Sequence, residues 1–417
     1  MTSHRSQRPV SRRAFALSGL AAAAAVTFSA AAWPSGAATT AGRGTGVRVR
    51  LPAPTGPHPV GTAEVRLVDR ARRDPWVPSR PYRELMVSVW YPARRTAGHP
   101  RAPHMRPKAA ARFSADRAPG FGIPDGTVDW AATRTHAYED ARPDARDGRL
   151  PVLVYAAGAG DPRTWGTVLV EEMASRGYLV ITVDHTYESP AVEFPDGRVL
   201  DNAPLMKAME EAQKDGTFVE LLGRMLRARV ADTRFVLDSL GALPHGLSRR
   251  ADPRRVGAFG QSAGGVAAAQ SMYEDKRIAA GVDLDGTLEL NQKPQGTNLL
   301  PVAEHGLDRP LLLMGREGSD RRTEPSWRAF WSHTEGWHRN LTLRGSKHQS
   351  YTDLQSLMPQ AGLPEKTVRK ALGTVDPDRA RAAERAYVAS FFDRWLRDHD
   401  DRLLDGPSPR FPEIDFV

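Results

Sequence analysis

The chain has 417 residues, with 58 Lys and Arg against 49 Asp and Glu, a formal charge of +9. Four of the arginines, Arg5, Arg8, Arg12 and Arg13, stand in the first 41 residues, which hold no acid; the rest carries 54 bases against 49 acids, scattered and not striped into a nucleic-acid-binding face. The sequence contains no cysteine, which excludes disulfides, thiolate metal sites, iron–sulfur clusters and a cysteine nucleophile.

The first segment reads as an export signal. "SRRAFALSG" (Ser11 to Gly19) pairs two arginines ahead of Phe15 and Leu17, and the alanine-rich "LAAAAAVTFSAAAW" follows. This is the pattern of a twin-arginine signal over residues 1–41, with small residues from Ala37 to Ala41 for cleavage. The run from Ala14 to Trp33 is too poor in Leu and Ile to insert well as an anchor. No later stretch reaches the ~20 apolar residues of a membrane span. A soluble, secreted mature protein is expected.

Residues 42–58, rich in Pro, Gly and Thr, read as a flexible lead-in to a domain at 59–417. Apolar and polar residues alternate from Ala63 to Val68 and again in "RELMVSVWYP", where Leu85, Val87 and Val89 share a face. Two such strands predict an antiparallel pair at a sheet edge. Residues 94–149 are crowded with Arg, Pro, Ala and Asp, and read as an insertion or cap outside the core.

The rhythm then becomes β-α-β. "LPVLVYAAG", "YLVITVDH", "RRVGAFG", "RIAAGVDLDG", "RPLLLMG" and "NLTLRGSKH" are apolar runs of buried parallel strands. Between and after them, "TWGTVLVEEMASRG", the long stretch from Gly216 to Leu243, "SAGGVAAAQSMYED" and "PDRARAAERAYVASFFDRWLRDH" have helical spacing. Alternation of this kind predicts an α/β fold with a mostly parallel, doubly wound sheet.

Within "RRVGAFGQSAGGVAAAQSM", Ser262 stands between Gly260 and Gly264, after a strand and before a helix. That context suits a nucleophile elbow, in which glycines let strand and helix approach and the hydroxyl is lifted above the carboxyl edge of the sheet. The helix N-terminus there favours negative charge. A neutral serine needs a base. His348, in the loop after the last predicted strand, follows the serine in the order of an α/β-hydrolase; His185, at the end of a core strand, precedes it and suits a pocket wall or a hydrogen-bonded strand end. The acid that would orient the imidazole is either Asp285, which ends "AAGVDLDG", or the pair Glu317 and Asp320. One oxyanion donor would be the amide of Ala263, directly after the serine.

From about Pro59 onward the chain resembles the plasma-type platelet-activating factor acetylhydrolase family, with the related actinobacterial lipases and polyester hydrolases. The segments that carry the likeness are "VGTAEVRLVDRARRDPW", "RELMVSVWYP", "FGQSAGG", "AGVDLDGTL" and "GSKHQSYTDL", in that order, and "EFPDGRVLDNAPL" resembles the family too. The resemblance implies an α/β-hydrolase fold with an antiparallel N-terminal edge and cap insertions, and a triad of Ser262, Asp285 and His348. It also implies a second oxyanion amide at Ala159. Two letters depart from the family: Ala157 stands where a histidine is usual, and Gln261 replaces the histidine before the serine. The implied reaction is hydrolysis of a small-molecule or lipid carboxylic ester through an acyl-serine, with no cofactor and no metal. Residues 188–216 are expected to form a second cap, whose arginines and those of 94–149 would suit an anionic or zwitterionic head group. The rival readings are a serine peptidase or amidase with the same triad, and a non-catalytic binding protein on the same fold.

Overall fold

The apolar runs form the centre of a large sheet in the computed structural model, which describes residues 46–146, 148–290 and 295–417. All of these belong to one compact unit, Ala38–Val417. The expected export signal at 1–41 lies outside the described residues. In chain order the strands are β1 (Val60–Asp69), β2 (Arg83–Pro92), β3 (Arg101–Pro103), β4 (Arg134–Glu139), β5 (Leu150–Ala156), β6 (Leu179–Asp184), β7 (Ala191–Glu193) and β8 (Val199–Asp201). They continue as β9 (Ala251–Gln261), β10 (Ile278–Leu284), β11 (Leu311–Arg316), β12 (His338–Leu343) and β13 (Ile414–Phe416).

Eleven of these, among the described residues, form one sheet in the order β13-β12-β11-β10-β9-β5-β6-β2-β1-β4-β3. The six strands from β12 to β6 run parallel, while β2 joins β6 and β13 joins β12 antiparallel. The protein is a mixed α/β molecule with a mostly parallel sheet, an α/β-hydrolase architecture.

The parallel strands are continuously apolar because both their faces are covered. Along β5, Val152 and Val154 enter one core while Leu153 and Tyr155 enter the other. The first core is closed by the helices Phe218–Asp238, Ala263–Glu274 and Pro325–His333, through Val236, Met272, Trp327 and Phe330. The second is closed by Thr167–Ser175 and Pro377–Arg397, through Met173, Val388, Phe391 and Phe392. The last helix starts where its sequence directs: Pro377 occupies its first turn, and the Asp376 carboxylate accepts from the amides of Asp378 and Arg379.

Three expectations need correction. The β1–β2 pair is antiparallel, as its alternation predicts, but it is not the sheet edge: β4 and β3 extend the sheet beyond β1. Those two strands come from 94–149, so this stretch is no mere covering segment. Its Phe113 and Trp130 pack with Trp165 in a third core, at ring distances of 4.6 and 6.0 Å. Nor do residues 46–58 hang free. Val49 and Leu51 are buried in that third core, and Thr55 donates through Oγ1 to the buried Glu172 at 2.6 Å.

Residues 188–216 form the β7–β8 hairpin and the helix Ala203–Asp215. The inner face of that helix, Leu205, Met209 and Ala212, packs with Trp76, Tyr187, Leu221 and Met225, and Ala159 joins the same cluster.

Candidate active site

The site is assembled where β5, β9, β10 and β12 end. Ser262 follows β9 directly and caps the helix Ala263–Glu274, with φ 57° and ψ −126°. A non-glycine residue in that left-handed region is strained and is held there by its surroundings. The flanking glycines explain how the turn fits. A Cβ on Gly264 would lie 1.9 Å from the Ala156 carbonyl oxygen, and one on Gly260 would lie 2.4 Å from the same atom. Strand β5 and the helix meet in the space those side chains would fill. The amide of Ala263, in the first turn, has no acceptor within its helix.

Asp285 follows β10 and is also left-handed, at φ 60°. Its Oδ2 accepts from His348 Nδ1 at 2.5 Å. Arg316, at the end of β11, closes the far side of the carboxylate: its amide donates to Oδ1 at 3.0 Å and its guanidinium to Oδ2 at 2.8 Å. Burial disfavours the charged carboxylate, but the His348 hydrogen bond and the charges of His348 and Arg316 outweigh it and hold Asp285 below the usual carboxylate range.

The other acid candidates lie elsewhere. Glu317 accepts from the Gly345 amide at 3.2 Å, and Asp320 caps its own turn through the amides of Arg322 and Thr323. Asp283, two residues before Asp285, sits under the elbow helix and accepts from the Gly286 amide at 2.9 Å; burial raises it well above the usual range.

His348 opens a short 3-10 turn, His348–Tyr351, after β12. The loop before it is pinned by Gly345 at φ 72° and by Ser346 Oγ donating to the Leu343 carbonyl, and the turn itself by Ser350 Oγ donating to the Leu372 carbonyl. The imidazole Nε2 is met by the Gln261 side-chain amide at 3.0 Å, and the same amide donates to the His348 carbonyl at 3.2 Å. The residue preceding Ser262 therefore occupies the ring nitrogen that would serve the serine. This contact and the Arg316 clamp were not read from the sequence. Arg316 has one sequence trace, a base at the end of a parallel strand beside the candidate acids.

Gly158 brings the loop after β5 over the serine: a Cβ there would lie 3.5 Å from Ser262 Cβ and 2.6 Å from Gln261 Oε1. Ala159, the other expected oxyanion residue, comes next in that loop. His185 belongs to a different set. Its Nδ1 lies 3.0 Å from Asp232 Oδ2, in a buried network that also holds Arg83 and Asp74. It is the hydrogen-bonded strand end, and no contact joins it to Ser262 or His348 among the described residues.

Residues 126–248 match the family model of platelet-activating factor acetylhydrolase, isoform II. The chain is 36% identical to a solved ferulic acid esterase from Streptomyces cinnamoneus, with a TM-score of 0.72 over 88% of this chain and 99% of that one. The chain belongs to the platelet-activating factor acetylhydrolase isoform II family. Within it, a probable 1-alkyl-2-acetylglycerophosphocholine esterase of Arthroderma benhamiae is 27% identical over 88% of this chain and 93% of its own. The platelet-activating factor acetylhydrolase of Gallus gallus is 23% identical over 86% and 88%. With such relatives, the chain is a carboxylic-ester hydrolase. The stretch matched by the family model, residues 126–248, ends before Ser262, whereas the likeness to the ferulic acid esterase runs over 88% of the chain.

Proposed function

We propose that this chain is a secreted serine esterase that works through an acyl-serine intermediate on a soluble carboxylic ester. The observation that carries the reading is the His348–Asp285 contact at 2.5 Å, with the other ring nitrogen 3.0 Å from the side chain of Gln261, the residue before the strained Ser262. In this reading substrate entry draws His348 Nε2 from the Gln261 amide to the serine, since catalytic hydrogen bonds in resting enzymes often tighten only on binding. Nε2 takes the Ser262 proton as Oγ attacks the ester carbonyl, and Asp285 supports the resulting imidazolium. The amides of Ala159 and Ala263 receive the oxyanion. His348 then protonates the leaving alcohol, activates a water and releases the acid.

The surface favours a soluble substrate. Val47 and Tyr82 are the large hydrophobic residues exposed among those described, and the apolar residues clustered around Ala159, such as Met206, Phe218 and Leu222, are partly buried. The likeness to a ferulic acid esterase supports the same choice. Secretion rests on the paired Arg12 and Arg13 ahead of an alanine-rich run.

A fluorophosphonate probe should label the wild type and leave a folded Ser262→Ala variant unlabelled; an unlabelled, folded wild type would sink the acyl-serine reading. On purified protein, p-nitrophenyl acetate and methyl ferulate should turn over faster than p-nitroanilides or short-acyl phospholipid in vesicles. Preference for the vesicles would overturn the soluble-ester assignment. Export of a reporter fused to residues 1–41 should stop when Arg12 and Arg13 become Lys, and continued export would refute the twin-arginine route.

A further inference from the structure

Arg229, on the helix Phe218–Asp238, is buried, and so is its partner Glu188 in the turn after β6; Nε donates to Glu188 Oε2 at 2.7 Å. The rest of the guanidinium is spent on backbone. Nη1 donates to the Ala157 carbonyl at 2.7 Å and Nη2 to the Gly158 carbonyl at 3.3 Å. A trans peptide directs its N–H opposite to its C=O. Two successive carbonyls turned toward Arg229 therefore turn the amides of Gly158 and Ala159 the other way. The Gly158 carbonyl also accepts from the Asp161 amide at 3.2 Å, which fixes the same peptide plane from a second direction.

We propose that Arg229, anchored by Glu188, is a positioning residue that holds the loop after β5 so that the Ala159 amide stays aimed at the oxyanion. The inference rests on the acyl-serine reading above. A guanidinium suits the task because its planar fork reaches a carboxylate and two carbonyls in fixed directions; an ammonium on a flexible stem does not. The turn that supplies Glu188 is itself fixed: the Thr186 carbonyl accepts from buried Arg83 at 2.8 Å, and Ser189 Oγ donates to Asp184 at 2.9 Å. The neighbouring Tyr187 is held left-handed at φ 71°. Arg229 thus couples its own helix and the turn after β6 to two successive peptide groups of the loop after β5, and it touches no reacting atom.

The test uses Arg229→Lys and the double variant Arg229→Met/Glu188→Leu, which removes both buried charges together and so avoids leaving one unpaired. Each is assayed on p-nitrophenyl acetate and for inhibition by an alkyl trifluoromethyl ketone, whose serine adduct carries an oxyanion. Loss of a single oxyanion donor costs about 10²- to 10³-fold in kcat, so a misaimed one is expected to lower kcat by roughly 30- to 300-fold. KM should stay within about twofold, and the ketone should weaken by the same factor as kcat. A folded variant with wild-type kcat overturns the proposal. So does a loss of kcat with undiminished ketone affinity, which would assign the pair a purely structural role. Ser262→Ala in the wild-type background separates the two readings: if it keeps activity, the acyl-serine mechanism fails whatever Arg229 does.

Discussion

At the scale of single residues, Asp285 is placed to serve two partners, and its replacement should separate them. In Asp285→Asn the carboxamide cannot support an imidazolium, and kcat on p-nitrophenyl acetate should fall by about 10⁴-fold, with secondary structure by circular dichroism unchanged. The same change should alter stability with pH. The folded Asp285 is held below its ordinary range, so its contribution is present above the unfolded carboxylate pKa and is lost as pH falls through the folded value. Thermal melts of the wild type should therefore decline on the acid side, and those of the variant should decline less steeply; equal slopes would show that Asp285 is not depressed. The sequence made Ser262 and His348 legible through strand–turn–helix context and chain order, while the acid stayed open among three carboxylates until the resemblance was used. Nothing local distinguishes them, because the choice is made by Arg316 and His348, which arrive from other strands. The Gln261 contact with His348 Nε2 was hidden for the same reason, since the two are 87 positions apart.

At the scale of elements, the elbow depends on missing side chains. Gly264→Ala would place a methyl group 1.9 Å from the Ala156 carbonyl oxygen, against backbone that cannot swing away. Overpacking of this kind costs about 3 kcal/mol, so a clear drop in melting temperature is expected together with loss of activity. A variant that melts with the wild type would mean that β5 and the elbow helix part easily. The elements most legible in the sequence were the central ones, where continuous apolar runs record burial on both faces. β3 and β4 were missed because these short strands at the periphery of the sheet have little apolar character: β4 reads "RTHAYE", in which Thr135 and Ala137 alone are buried. The lead-in was misread by composition. Pro, Gly and Thr suggest flexibility, yet Val49 and Leu51 are enough to dock it, and Glu172 waits inside the protein for Thr55.

For the whole molecule, the buried charges predict a stability optimum in mild acid. Burial raises Glu171 and Glu384 to about 8, in each case against nearby groups that lower it. A carboxyl raised on folding contributes stability that is complete below the unfolded pKa and is lost as pH rises through the folded one. Denaturant melts should therefore weaken from about pH 5 to pH 8, and Glu384→Gln should flatten that slope. An unchanged slope would show that Glu384 is ionised in the folded protein. Asp285, together with Asp144, which the adjoining Arg146 lowers to about 2, pulls the other way on the acid side.

The strand β13 has a practical bearing on how the protein is handled. It zips onto β12 through Ile414, Asp415 and Phe416, the Val417 amide donates to Asn340, and Arg321 reaches the Val417 carbonyl. β12 leads straight into the loop that carries His348. A purification tag or a resin linkage fused directly after Val417 would thus tug on the seam beside the imidazole, where a spacer would spare it. Immobilised preparations should retain more of their turnover when tethered at a surface remote from that seam.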